Sequence, residues 1–344
     1  MKIKLIMALS ALVLIGSFQM IAFAKGDTMK EKVQKEKVFY TQNYSNIKIT
    51  GELYKPENFD INKKYPAIVV VHPAGGVKEQ VAGLYAQKLA ENGFVTLAFD
   101  AAYQGESEGT PHYLEKPSSR VEDVRSGVDY LTILPFVDKD NIGVLGICAG
   151  GGYAFNATQT DMRIKAIATV SAFDLGRARR QGLNDSMSIE QQQKKLAEAA
   201  EQRTKELNGE PVKYNGYVPN SLEEIPENAT TMYRQGYEYY RTPIAQHPRS
   251  ENKYIFSNYA EQAAFTAFDH PELISPRPVM FIVGENAESA YFSKEAYDKI
   301  AGEKKEYVVI PNATHIEMYY KPEYVNQAVE KLTNFYSKNL KQGE

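Results

Sequence analysis

The single cysteine of this 344-residue chain, Cys148, stands in Gly146-Ile147-Cys148-Ala149-Gly150-Gly151-Gly152. A predicted strand runs up to this segment and a small-residue helix leads away from it. Gly146-x-Cys148-x-Gly150 has the spacing of a nucleophile elbow with cysteine in place of serine. The turn from strand to helix is so tight there that positions two before and two after the nucleophile exclude large side chains. The nucleophile then sits at a helix N-terminus, where main-chain N–H groups and the helix dipole favour a thiolate. A dinucleotide-binding loop is the other glycine-rich motif that follows a strand. Its spacing is absent, because Gly143-x-x-Gly146 is not G-x-G and no acid ends the next strand.

A cysteine nucleophile needs a base. The chain has five histidines, and His315 directly follows the last predicted strand, Tyr307–Ile310, in Pro311-Asn312-Ala313-Thr314-His315. An acid to orient the imidazole is sought after the strand 279–283, in Gly284-Glu285-Asn286-Ala287-Glu288-Ser289. Glu288 is the first candidate and Asp174, at the end of the preceding strand, the second. His72-Pro73-Ala74-Gly75-Gly76 follows another strand, so Ala74 or Gly75 can lend an oxyanion-hole N–H beside that of Ala149. Tyr233, Tyr237 and Tyr240 recur at i, i+4 and i+7. They fit the wall of an apolar acyl pocket, and equally a helix face packed on the core.

These residues need a frame. Ala67–Val71, Phe94–Phe99, Asn141–Leu145, Ile164–Val170, Pro278–Val283 and Tyr307–Ile310 read as strands. Helical patterns at 81–91, 121–134, 150–158, 293–300 and 322–339 separate most of them. The run Ala67-Ile68-Val69-Val70-Val71 is apolar throughout, as suits a strand buried on both faces of a parallel sheet. Two β-rich runs at 38–44 and 47–56 form an antiparallel hairpin. Alternation stops for about a hundred residues after Ser171, with a strong helix at 188–207 and a tyrosine-rich, proline-broken stretch beyond it. The fold class is therefore α/β: a doubly wound, mostly parallel sheet with an inserted, largely helical cap. The core comprises 38–174 and 276–344, and the cap 175–275.

Composition narrows the function. Forty basic against 43 acidic side chains, 43% hydrophobic residues and 24% charged ones exclude a general nucleic-acid binder and a multi-span membrane protein. One cysteine excludes an intrachain disulfide and any cysteine-clustered metal site. Lys2 and Lys4, the apolar run from Leu5 to Phe18 and Ala22-Phe23-Ala24 form a signal-peptide pattern over residues 1–24, with a polar leader at 25–37. The chain is expected to be exported, periplasmic or secreted; the alternative is an uncleaved N-terminal membrane anchor.

HPAGGVKEQ (72–80), FVTLAFDAAYQGES (94–107), RVEDVRSGVDYL (120–131), GICAGGGYA (146–154), SAFDLGR (171–177), YRTPIAQHP (240–248) and ATHIEMY (313–319) together resemble the α/β-hydrolase superfamily, dienelactone-hydrolase-like. More narrowly they are similar to the YcjY-type and fungal polyketide-transferase group. The resemblance implies a Cys148–acid–His315 site that hydrolyses a small-molecule ester or lactone, with no cofactor. The resemblance also implies that Ala287 stands where many members of the superfamily hold aspartate. The substrate is expected to be a small ester, thioester or lactone, with no metal at the site. An acyltransferase would use the same residues, and a non-catalytic ligand-binding protein could be built on the same scaffold.

Overall fold

A computed structural model describes residues 33–341. The signal-peptide pattern at 1–24 and the first part of the leader lie outside them. β1 (Gln34–Thr41) and β2 (Lys48–Lys55) pair antiparallel. β1 therefore starts inside 25–37, the stretch whose composition suggests a free polar leader. Main-chain pairing from Gln34↔Lys55 onward fixes it, and its lysines stay on an exposed edge where Lys37 meets Glu106 at 2.9 Å.

The chain then alternates through β3 (Tyr65–Val71), α1 (Val81–Ala90), β4 (Val95–Phe99), α2 (Pro117–Thr132), β5 (Val137–Ile147), α3 (Ala149–Thr160) and β6 (Ile164–Val170). The segment after β6 carries α4 (Leu175–Gln181), α5 (Ile189–Leu207), β7 (Tyr214–Asn215), α6 (Thr231–Arg241), β8 (Tyr254–Ile255) and α7 (Tyr259–Ala264). The short strands β7 and β8 pair only with each other. β9 (Val279–Gly284), α8 (Ala290–Lys299), β10 (Lys305–Ile310) and α9 (Pro322–Asn339) close the fold.

The main sheet has eight strands in the order β1-β2-β4-β3-β5-β6-β9-β10, parallel from β4 to β10. Alternate residues of β3 feed opposite faces. Val69 and Val71 join a core with α2 and α3, whereas Ile68 and Val70 join one with α1 and α9. Burial on both sides explains why β3 is apolar at every position from Ala67 to Val71. β4 lies to one side of β3 and β5 to the other, so the chain changes direction at β3. A crevice opens at the carboxyl ends of such strands, and the elbow and the His72 loop both meet there.

Candidate active site

β5 ends at Ile147 and α3 begins at Ala149, leaving Cys148 alone in the turn at φ 55°, ψ −126°. A non-glycine residue in this region costs about 1–3 kcal/mol and needs its surroundings to hold it. Here the Cys148 N–H donates to Val170 O (3.1 Å), and its carbonyl accepts from Gly151 N (2.8 Å) and Phe173 N (2.9 Å). The flanking glycines are obligatory. A Cβ on Gly146 would lie 2.5 Å from Gly150 O, and one on Gly150 2.3 Å from Val71 O.

Cys148 is partly exposed and lines a cavity of about 170 Å³. Burial among apolar groups pushes its thiol up to about 11, against the opposing pull of hydrogen bonds from Tyr319 and the Ala149 N–H. His315, on the loop after β10, is fully enclosed, and burial alone brings its imidazole down to about 3. Its Nε2 meets the Tyr319 hydroxyl at 2.9 Å and its Nδ1 meets Ser289 Oγ at 2.5 Å. The two residues are therefore linked through Tyr319, as neutral thiol and neutral imidazole. One consistent proton arrangement has S–H donating to Tyr319, Tyr319 O–H to Nε2, and Nδ1–H to Ser289.

Both acid candidates are engaged elsewhere. Glu288 accepts the N–H groups of Thr231 (3.0 Å) and Met232 (2.7 Å), so its carboxylate sits on the N-terminus of α6. An anion suits that helix end, and the contact ties the cap to the core. Asp174 caps α4, accepting the Arg177 N–H at 2.9 Å. Among the described residues no carboxylate hydrogen-bonds the imidazole. Ser289, the neighbour of Glu288, holds that place; a search for charge passes over it. Tyr319 also escapes the sequence reading, although the short helical turn at Glu317–Tyr319 brings a residue four places after His315 back over its ring.

Ala74 and Ala149 both line the cavity, and neither main-chain N–H has an oxygen partner among the described residues. Ala149 is the first residue of α3, where the N–H has no intrahelical acceptor. Gly75 sits just outside at φ 68°; a Cβ there would lie 2.6 Å from the Tyr217 ring. Its carbonyl accepts from Ser250 Oγ at 2.7 Å, anchoring the loop to the cap. The buried His72 ring accepts the Ala101 N–H at Nε2 (3.1 Å) and meets Pro73 O at Nδ1 (2.6 Å). Buried Arg120 donates to His72 O at 2.6 Å. Glu115 lies 3.6 Å from Arg120 and accepts from Tyr153 (2.7 Å) and Tyr217 (3.0 Å). These groups position the loop from below.

The acids of a nearby cluster, Glu79, Asp100 and Glu106, have the spacing of metal ligands, but the Lys78 ammonium bonds all three at 2.6–2.8 Å. A cation is already built into that cluster.

The cap roofs the cavity with Tyr217, Val218, Met232, Tyr233, Gly236 and Tyr240. Tyr233 and Tyr240 thus lie where the pocket-wall reading puts them, and the Tyr240 hydroxyl is buried without a partner. Tyr237 is a correction: it does not line the cavity, because Met232 and Gly236 occupy that face of α6 beside Tyr233 and Tyr240.

The dienelactone hydrolase family profile matches residues 49–200. Uncharacterized protein YcjY of Escherichia coli K12 is 37% identical over 302 residues, 88% of this chain and 98% of its own length. The chain belongs to the dienelactone hydrolase family of α/β hydrolases. The crystal structure of hypothetical protein PA2218 from Pseudomonas aeruginosa superposes with a TM-score of 0.84 at 36% identity, covering 90% of this chain and 94% of that one. The thiohydrolase aneE of Aspergillus aculeatus is 33% identical over 141 residues, 41% of this chain and 42% of its own. Membership of this family brings hydrolase chemistry on small molecules.

Proposed function

We propose that this protein is an exported hydrolase that cleaves a small ester, thioester or lactone through an acyl-thioester intermediate on Cys148. The observation that carries the reading is the position of Cys148: alone in a left-handed turn at the head of α3, on the cavity, and linked through Tyr319 to a neutral imidazole. In this mechanism Sγ attacks the substrate carbonyl carbon while its proton passes by way of Tyr319 to His315 Nε2. The N–H groups of Ala149 and Ala74 stabilise the oxyanion. Collapse breaks the bond to the leaving alcohol or thiol, which takes the proton from His315. Water then attacks the acyl-enzyme, giving one proton back through His315 to the sulfur and releasing the acid.

The Aspergillus relative is named a thiohydrolase, which favours testing thioesters beside oxygen esters. The cavity is smaller than the roughly 300 Å³ at which drug-sized pockets begin, which favours short acyl groups. The test is turnover of short p-nitrophenyl esters and S-ethyl thioesters by the wild type, Cys148→Ala and the iodoacetamide-treated enzyme. A mass increase on Cys148 after rapid acid quench identifies the intermediate. Activity that survives both the substitution and the alkylation refutes the reading. Added alcohols or amines that divert the acyl group from water would reassign the protein as an acyltransferase.

A further inference from the structure

The two N–H groups given to the oxyanion are held in different ways. Ala149 is the first residue of α3, so the helix itself fixes its N–H. Ala74 lies in a turn at 73–76, closed by the Gly76 N–H on Pro73 O at 3.1 Å, with Gly75 at φ 68° in third place. Among the described residues the main chain of Ala74 and Gly75 makes one hydrogen bond. Its donor is a cap side chain 175 residues away, the buried Ser250, whose Oγ donates to Gly75 O at 2.7 Å.

The same stretch of cap grips the loop twice more. Gln80 Nε2 donates to Ala245 O at 2.8 Å, and Arg249 pairs with Glu79. Asn252 holds the roof of the cavity instead. Its Oδ1 accepts the N–H groups of Tyr217 (2.8 Å) and Val218 (3.0 Å), and its Nδ2 donates to Val218 O at 2.7 Å. The Tyr217 ring in turn lies so close to Gly75 that a Cβ there would meet it at 2.6 Å. The stretch 245–252 thus ties the roof to the loop that carries Ala74. An oxyanion donor is effective when it is aimed before charge develops, because turning a peptide during the reaction would consume part of its stabilisation.

We propose that Ser250 is a positioning residue of the oxyanion hole: through Gly75 it aims the Ala74 N–H, and the stretch 245–252 makes that donor and the cavity roof one unit. The role of Ala74 rests on the hydrolase reading above, so the first arm of the test needs no turnover. 1,1,1-Trifluoro-2-butanone takes Cys148 Sγ onto its carbonyl carbon. The S–C bond forms, the carbonyl π pair moves onto oxygen, and the thiol proton passes to His315, so the adduct carries an oxyanion. Iodoacetamide alkylates the same sulfur by displacing iodide and makes none. The Kd of the ketone is read from its protection of Cys148 against iodoacetamide, followed by intact mass. Ser250→Ala weakens that Kd roughly tenfold or more, part of the about 100-fold or more that loss of an oxyanion donor costs, and leaves unprotected alkylation within about twofold. Ser250→Thr keeps the hydroxyl and recovers the affinity. An unchanged Kd in Ser250→Ala, or an alkylation rate that changes as much as the Kd, overturns the proposal. Should Ser250→Ala fail to fold, Arg249→Gln decides: it cuts the grip on Glu79 and weakens the ketone about threefold, and no change overturns the proposal.

The second arm is turnover of S-ethyl butanethioate and p-nitrophenyl butyrate. A group that acts only on the developing oxyanion lowers kcat and spares KM, so Ser250→Ala lowers kcat roughly tenfold or more with KM within about twofold. A rise in KM at unchanged kcat overturns the positioning role. A wild type that binds the ketone but turns over neither substrate, with the affinity lost in Ser250→Ala, refutes the hydrolase reading while the positioning role stands. A wild type that neither binds the ketone nor turns over either substrate overturns both.

Discussion

A thiol at about 11 beside an imidazole at about 3 is a resting pair of neutral groups rather than a thiolate–imidazolium pair. The chain carries one cysteine, so the unfolded protein is its own control. At pH 7 an ordinary cysteine near 8.5 is about 3% thiolate, whereas Cys148 is about 0.01% thiolate, a roughly 300-fold deficit. The more basic thiolate is also the better nucleophile, with a Brønsted slope of about 0.4–0.5, which returns roughly tenfold. Iodoacetamide should therefore modify folded Cys148 about 20–30 times more slowly at pH 7 than the same residue in urea. Access to the cavity also affects the absolute rate, so the decisive observable is the pH profile. The folded rate should rise tenfold per pH unit from about 6 to about 10, because burial holds the proton on sulfur throughout that range. Ester turnover should stay flat from about 5 to 9, because His315 is an unprotonated base across it. Rates are read by intact mass after quenching, with circular dichroism confirming the fold at each pH. An alkylation rate that plateaus above about pH 6 and exceeds the unfolded control would mean a preformed thiolate, and a neutral resting pair would be refuted.

Glu288→Gln should leave the alkylation profile of Cys148 unchanged but lower stability by about 1–2 kcal/mol. It removes a charge from the α6 N-terminus and one of two main-chain hydrogen bonds, and thermal unfolding with an intact-mass alkylation series checks both. Gly150→Ala should cost more than about 3 kcal/mol, because its Cβ would lie 2.3 Å from the Val71 carbonyl oxygen and 2.7 Å from that of His72, main-chain atoms that cannot swing aside; urea unfolding measures it. Tyr319→Phe keeps the ring packed against Tyr239 but breaks the link between sulfur and imidazole. Turnover should fall at least tenfold, and the alkylation profile should move to still higher pH because a hydrogen bond that lowers the thiol is lost.

The frame of this site is legible in the sequence because it depends on period and on steric exclusion. Unbroken apolarity from Ala67 to Val71 marks a strand covered on both faces, and the glycines around Cys148 mark places where a Cβ meets main chain. His315 is legible for a similar reason, as the residue that the last strand delivers to the carboxyl edge of the sheet. What sequence reasoning misses depends on where side chains turn. Glu288 and Ser289 are neighbours on one loop, yet Glu288 turns out to the head of α6, a helix 57 residues earlier in the chain, while Ser289 turns in to the imidazole. Nothing local separates those fates. Tyr237 fails because i, i+4, i+7 describes a stripe broader than the cavity beneath it. Glu115 stands in no motif; only the fold brings it up to both Tyr153 and Tyr217.

Cysteine at the elbow and serine beside the imidazole make chemical sense together. In a serine hydrolase the acid holds the imidazole in the right tautomer and stabilises the imidazolium formed when a very weakly acidic hydroxyl is deprotonated. A thiol is far more acidic than a hydroxyl even when burial has raised it to about 11, so the imidazole is asked for a smaller proton affinity. A neutral hydrogen bond to Ser289 still fixes the ring and its tautomer. It withholds the charge that would draw the proton across at rest. The sulfur is then kept protonated and slow towards adventitious electrophiles, which matters for a thiol open to a cavity. In the mechanism proposed above it becomes a nucleophile only when a substrate carbonyl reaches the Ala149 and Ala74 N–H groups and the developing oxyanion makes the transfer downhill. On that proposal, the lack of a carboxylate on the imidazole among the described residues changes when the proton moves, and leaves the elbow, the base and the oxyanion donors able to do the same work.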